Sequence, residues 1–154
     1  MTGTSHAVQV WGRRDNVQLG LAATTLALVA AQFALAGFGA FTMDKTPADN
    51  AYGAHMILGV VIGVMTWLIL ASTLASRTAR KQPRTLWAAV TLAVLAVPVE
   101  PLLGEAGQRV PAVGALHALN GLAIFALTGW LVAQADRRRT AAGHGSAAGH
   151  GDLR

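Results

Sequence analysis

Three stretches of this chain contain no Asp, Glu, Lys or Arg: Asn16 to Met43, Asn50 to Ser76 and Val110 to Ala135. Each exceeds the roughly 20 residues that an apolar helix needs to cross hydrocarbon. A fourth stretch, Thr85 to Gly104, is broken by one carboxylate, Glu100. This charge pattern predicts an all-α, integral membrane four-helix bundle, with helices near 17–42, 51–75, 85–104 and 111–135. Of the 154 residues, 53% are hydrophobic and 12% charged, and the intervals between the four spans are too short for a soluble domain. The first apolar run is too long for the core of a cleaved signal peptide and is expected to remain as a span. No cysteine is present, which excludes disulfides, thiolate metal sites, iron–sulfur clusters and covalent c-type haem attachment through this chain.

The positive charges set the expected orientation. Arg13 and Arg14 precede the first span, Arg77, Arg80, Lys81 and Arg84 fill the middle loop, and Arg137, Arg138 and Arg139 follow the last span. The other two loops hold only Lys45 and Arg109. By the positive-inside rule both termini and the middle loop are cytoplasmic, in the cell membrane, with 1–15 a short N-terminus and 137–154 a basic and then disordered tail. The net charge of +5 then reflects topology and attraction to anionic lipid headgroups, and no nucleic-acid partner is needed. Trp11, Trp67, Trp87 and Trp130 fall toward the cytoplasmic side, where indole rings anchor helices at the interface.

Within the apolar stretches two histidines carry one pattern. His55 and His117 are each followed by a Gly four residues on, Gly59 and Gly121, and by a Thr seven beyond that, Thr66 and Thr128. The copies are 62 residues apart (117 − 55), about one helical hairpin, which suggests a helix pair used twice. With helix starts at Ala51 and Pro111, the imidazoles lie roughly 6 and 9 Å below the outer boundary at about 1.5 Å rise per residue. Glu100, Asn120 and, deeper, Gln32 occupy the same half of the membrane. Polar side chains at such depth face a bundle interior or cavity and mark sites by default. All five are expected to converge.

Position i+4 lies beside i on a helix face, so Gly59 and Gly121 are expected to leave room for a flat ligand next to each histidine. Two imidazoles on facing helices at one depth, with a slot between, are what bis-histidine ligation of one haem b requires. Asn120, threonines and backbone carbonyls are candidates to hold the other ring nitrogens. Lys45 or Arg109 would meet the propionates. Two other readings stand beside this one: a zinc or copper site completed by Glu100, and a cofactor-free clasp in which the histidines hydrogen-bond across helices. Glu100 itself reads either as a proton or quinone site, with Gln32, or as a carboxylate at a helix end loosened by Pro98 and Pro101.

The run Gln32-Phe33-Ala34-Leu35-Ala36-Gly37-Phe38-Gly39, then His55 with Leu58-Gly59, then Leu116-His117-Ala118-Leu119-Asn120, resembles a family of small four-helix bacterial membrane proteins without an assigned function. The arrangement is more distantly similar to one half of haem A synthase, whose halves each place a histidine on the second and fourth helices near the outer face. That resemblance implies haem ligation by His55 and His117. The synthase's reactive half carries a glutamate three residues before its first histidine, where this chain has Tyr52, and its paired loop cysteines are absent here. The resemblance therefore implies a haem b bundle like the non-reactive half.

The tail repeat Ala-Ala-Gly-His-Gly, with His144 and His150, reads as a flexible segment, and His6 is uninformative. Gly37-Phe38-Gly39 lacks the strand-turn-helix setting of a nucleotide loop and reads as close helix packing. The expected function is a haem b protein passing electrons between a quinone and a redox partner, or serving as a haem-carrying subunit of a respiratory assembly. The alternatives are a cofactor-free scaffold or assembly subunit, and an enzyme acting on quinone or haem through Glu100. The small face Ala30, Ala34 and Gly37 also permits a homodimer or packing into a larger complex.

Overall fold

The computed structural model describes residues 12–42 and 48–148, with the backbone alone for 48–50, 78 and 143–148. It is all-helical among these residues: α1 (Arg13–Thr42), α2 (Ala48–Ala75), α3 (Arg77–Arg80), α4 (Pro83–Val94), a π-helical turn (Leu95–Val99), α5 (Glu100–Gly107) and α6 (Pro111–Ala148). Four helical segments are long and apolar enough to cross a membrane: Arg13–Thr42, Ala51–Ala75, Pro83–Gly107 and Pro111–Ala142. They form a ring in which α1 packs on α2, α2 on α4, the third span on α6, and α6 back on α1. Short connections force such neighbours to run antiparallel.

The buried positions show why these helices associate. On α1 they are Asp15, Gln18, Ala22, Thr25 and Val29. On α6 they include Asn120, Ile124, Thr128, Leu131, Ala135 and Arg138. Successive steps are of three or four residues, the spacing that lets nearly parallel helices interlock in a left-handed bundle. The outward faces are apolar instead: Met56, Ile57, Val60 and Val64 on α2, and Leu116, Leu119 and Leu122 on α6, are all exposed. Lipid tails are as apolar as Leu, so close packing and interhelical hydrogen bonds, rather than apolar burial, hold such a bundle together. The buried threonines suit that role. Thr25, Thr73 and Thr128 return their hydroxyls to the carbonyls of Leu21, Ile69 and Ile124 at 2.7–2.8 Å, so they pack as small side chains with no unpaired group.

Two features depart from the sequence expectation. The last helix does not end at 135; it continues through the three arginines to Ala148, across residues expected to be a disordered tail. No proline interrupts 136–148, and Ala and Arg are strong helix formers. The third span is longer than expected and contains a π turn, with Pro98 inside it and Pro101 just after. Proline donates no backbone hydrogen bond, and the turn recovers one by running from the Glu100 N–H to the Leu95 carbonyl.

At the arginine-rich end a buried polar network joins the spans. Gln18 donates to Thr73 Oγ1 at 2.8 Å and accepts from Arg138 Nη2 at 2.9 Å, while Arg138 Nη1 reaches Gln82 Oε1 at 3.3 Å. Ser76 donates to Asp15 at 2.8 Å, and its hydroxyl caps α3 by accepting from the Ala79 N–H. Arg138 is 7% exposed and Gln18 2%. Arg138 is therefore a packed, hydrogen-bonded core residue rather than one of a set of interchangeable surface charges.

Candidate functional site

At the opposite end of the bundle the imidazoles of His55 and His117 face each other, with ring centres 6.3 Å apart and planes inclined by 66°. Each ring is held the same way. His55 Nδ1 donates to the Gln32 carbonyl at 3.2 Å, and His117 Nδ1 donates to the Glu100 carbonyl at 3.2 Å. A carbonyl only accepts, so Nδ1 carries the hydrogen, and in the neutral ring Nε2 is left with its lone pair. Gln32 completes a reciprocal pair by donating from Nε2 to the His55 carbonyl at 2.9 Å.

The two halves of the site repeat, with one offset. Buried Gln18, Ala22, Thr25 and Val29 on α1 correspond to buried Thr85, Ala89, Leu92 and Ala96 on the third span, 67 positions later. Gln32 and Glu100, whose carbonyls hold the two histidines, are 68 apart. The π turn accounts for the extra residue, since it adds one position to a helical turn without ending the helix. It also turns Glu100 inward. Its carboxylate accepts from Asn120 Nδ2 at 2.5 Å and lies 3.5 Å from His117 Nδ1. Asn120 is anchored further by a 3.1 Å bond to the Leu95 carbonyl, within the π turn. Asn120 thus supports Glu100 and the π turn, and of the candidates to hold the imidazoles it is the backbone carbonyls that do so.

Between these groups lies a cavity of about 120 Å³, bordered by Gln32, Phe33, His55, Gly59, Glu100, His117 and Gly121 among others. The glycines do adjoin it, although neighbours use part of the space: a Cβ at Gly59 would come within 3.3 Å of Gln32 Nε2, and one at Gly121 within 3.4 Å of Phe33. Phe33 meets Phe125 edge to face at 6.2 Å across the contact of α1 and α6. Tyr52 stands edge to face with His55 at 6.2 Å, and its ring occupies the space that a Cβ on Gly39 would need, so Gly39 serves close helix packing. Arg109 pairs with Glu105 at 3.5 Å on the surface, and Lys45 lies outside the described residues.

Two imidazoles bound to one metal from opposite sides stand about 6.2 Å apart, taking metal–nitrogen bonds of about 2.0 Å and about 1.1 Å from nitrogen to ring centre. The observed 6.3 Å is close to that spacing, and a carbonyl on each Nδ1 is the kind of partner that fixes an imidazole's orientation. A three-ligand zinc or copper site is not formed: among the described residues no three His, Cys, Asp or Glu side chains gather as metal ligands. Glu100 lies beside the Nδ1 of His117 that a carbonyl already occupies.

Comparison of the chain with protein-family models, curated proteins and solved structures finds no match. The fold and site define its class: an all-helical protein of four membrane-length helices, with a two-histidine cavity at one end and a buried polar network at the other. Sequence reasoning missed that network. Its signal was the three-residue spacing of Asp15 and Gln18, which puts two polar side chains on one face of α1.

Proposed function

We propose that the protein binds one haem b in the membrane through His55 and His117 and acts in electron transfer, alone or as a haem-carrying subunit of a respiratory assembly. The observation that carries this reading is the 6.3 Å separation of two rings whose Nδ1 atoms are both committed to backbone carbonyls. A six-coordinate haem would supply one-electron transfer, with its potential tuned by axial ligands, burial and nearby hydrogen bonds. The chain's own part is to hold both rings in one tautomer, to keep Gly59 and Gly121 small beside them, and to set Glu100 and Asn120 at the edge. The positive-inside rule puts the termini in the cytoplasm and the histidine end in the outer leaflet, facing a redox partner on that side. The likeness to the non-reactive half of haem A synthase supports the same assignment.

The test is the spectrum of detergent-purified protein before and after dithionite, with a pyridine haemochrome assay of stoichiometry. About one b-type haem per chain, lost or converted to high spin in His55→Ala and in His117→Ala, is the expected result. A protein that stays colourless when haemin is supplied sinks the reading. One observation favours a second function, a cofactor-free scaffold or assembly subunit: His55 bonds the Gln32 carbonyl, His117 the Glu100 carbonyl and Asn120 the Glu100 carboxylate, each across a pair of helices. In that case both alanine variants lose stability and no pigment is involved.

A further inference from the structure

Arg138 is buried, but the other cations at its end of the bundle face outward. Arg13 and Arg14 on α1, Arg77 at the start of α3, and Arg137 and Arg139 on α6 are all exposed. Acids do not balance them. Asp15 is 5% exposed and turned inward, accepting from the Ser76 hydroxyl at 2.8 Å and from the Gly12 N–H at 3.0 Å. Asp136 is the only exposed acid at that end among the described residues. The surplus lies at the ends of the membrane-length segments: Arg13–Thr42 begins with Arg13, and Ala51–Ala75 stops two residues before Arg77.

One corner of this end joins charge to apolar surface. Val17 follows Arg13 and Arg14 by four and three residues on α1, so it shares their face one turn deeper into the span, and it is 50% exposed. The neighbouring α2 ends with Leu74, 48% exposed, beside Ala75, whose carbonyl accepts from Arg14 Nη1 at 3.0 Å. That bond ties the Arg14 guanidinium to the end of α2, two residues before Arg77. A guanidinium carries five N–H donors, so one bond to a carbonyl leaves donors for an anion. The corresponding end of α6 is different. One turn deeper than Arg137 and Arg139 stand Ala133, Gln134 and the buried Ala135, with no large exposed apolar side chain among them.

We infer that the corner of α1 and α2 binds an anionic phospholipid, with Arg14 and Arg77 holding its phosphate and Val17 and Leu74 lying against its acyl chain. The planar fork of arginine matches phosphate oxygens, and each cation near a lipid surface favours an anionic headgroup. A soluble anion would use the arginines and leave the aliphatic side chains uncovered. A phospholipid covers both, because its charge and its hydrocarbon meet at the level where the spans end. The histidine cavity lies at the opposite end of the bundle, and neither it nor a haem enters this inference.

The experiment equilibrates the full chain in mild detergent with equal amounts of dioleoyl phosphatidylglycerol and dioleoyl phosphatidylcholine, then identifies the first lipid retained by native mass spectrometry. The wild type is expected to retain phosphatidylglycerol about tenfold or more over phosphatidylcholine, the preference that two nearby cations supply. The double variant Arg14→Gln, Arg77→Gln is expected to bring that ratio within about twofold. The double variant Arg137→Gln, Arg139→Gln removes the same charge away from the corner and is expected to keep the wild-type ratio. Arg77→Gln alone, at an exposed position, is expected to give an intermediate ratio and serves if the first double variant does not fold. Equal retention of the two lipids by the wild type overturns the inference and leaves the face to an acidic protein partner. Equal losses in the two double variants overturn it in favour of diffuse charge attraction. Displacement of the lipid by an excess of inorganic phosphate overturns it in favour of a site for free anions.

Discussion

Replacing Gln18 with Leu separates what holds the bundle from what the site does. The side chain is buried between α1, α2 and α6, and Leu is close to it in volume, so the change is chiefly a loss of two hydrogen bonds. One comes from the charged Arg138 and is of the kind worth about 1.5–3 kcal/mol; the other, to Thr73, is of the kind worth about 0.5–1.5 kcal/mol. Hydrogen bonds between membrane helices average lower, at about 0.6 kcal/mol, because the unfolded chain in a bilayer also finds partners. Arg138 Nε is already unpaired and buried, so the loss of Gln18 leaves two unmet donors on one guanidinium. The expected cost is about 2–4 kcal/mol, toward the upper range. The assay is reversible unfolding in mixed micelles of mild detergent and dodecyl sulfate, in a cycle with Thr73→Val. The double variant should cost less than the sum of the singles by about 1 kcal/mol, the shared bond. Gln18 is 14 residues from Gln32, roughly 21 Å along the helix at about 1.5 Å per residue, so haem content should be unchanged. A cost below about 1 kcal/mol, or full additivity of the two variants, would refute the argument that this network clamps the spans.

Gly107→Ala should destabilise the bundle by about 1–3 kcal/mol, since the added methyl meets backbone atoms of Gly114 that cannot rotate away. Gly20→Ala is its control: nothing lies within 4 Å of the new methyl, and the helix should gain about 0.5–1 kcal/mol in the same unfolding assay. Asn120→Leu removes the bonds to the Leu95 carbonyl and the Glu100 carboxylate and should cost about 1–3 kcal/mol. Because Asn120 touches neither imidazole nitrogen, that variant should still bind haem at wild-type stoichiometry, and a colourless Asn120→Leu protein of normal stability would contradict its supporting role.

Both the fold and the meeting of the histidines were legible in the sequence, for different reasons. Membrane-length helices announce themselves by the absence of charge over a fixed length, a local property. His55 and His117 were paired by a repeated spacing, and their common depth followed from counting residues from each helix start. What could not be read was direction around the helix axis. A span that is apolar on nearly every face gives no periodic signal of which side is buried, so Gln18 drew no notice, Arg138 was read only as a flanking charge, and Asn120 stood with threonines and carbonyls as candidates to hold an imidazole, a role the carbonyls fill. Glu100 was unreadable for a further reason. Its direction depends on whether the prolines beside it kink, end or widen the helix, and a π turn rotates all that follows by one residue.

The sequence alone therefore determined four membrane-length helices, their arginine-rich and arginine-poor ends, and two histidines at one level. These follow from the length of uncharged runs and from the fixed rise of a helix. Only the tertiary structure decided that carbonyls of Gln32 and Glu100 fix the two rings, that α5 packs on α6, and that Arg138 lies inside the bundle. Each of these depends on the rotation of one helix against another. That rotation is set by glycine contacts and buried hydrogen bonds between residues far apart in the chain.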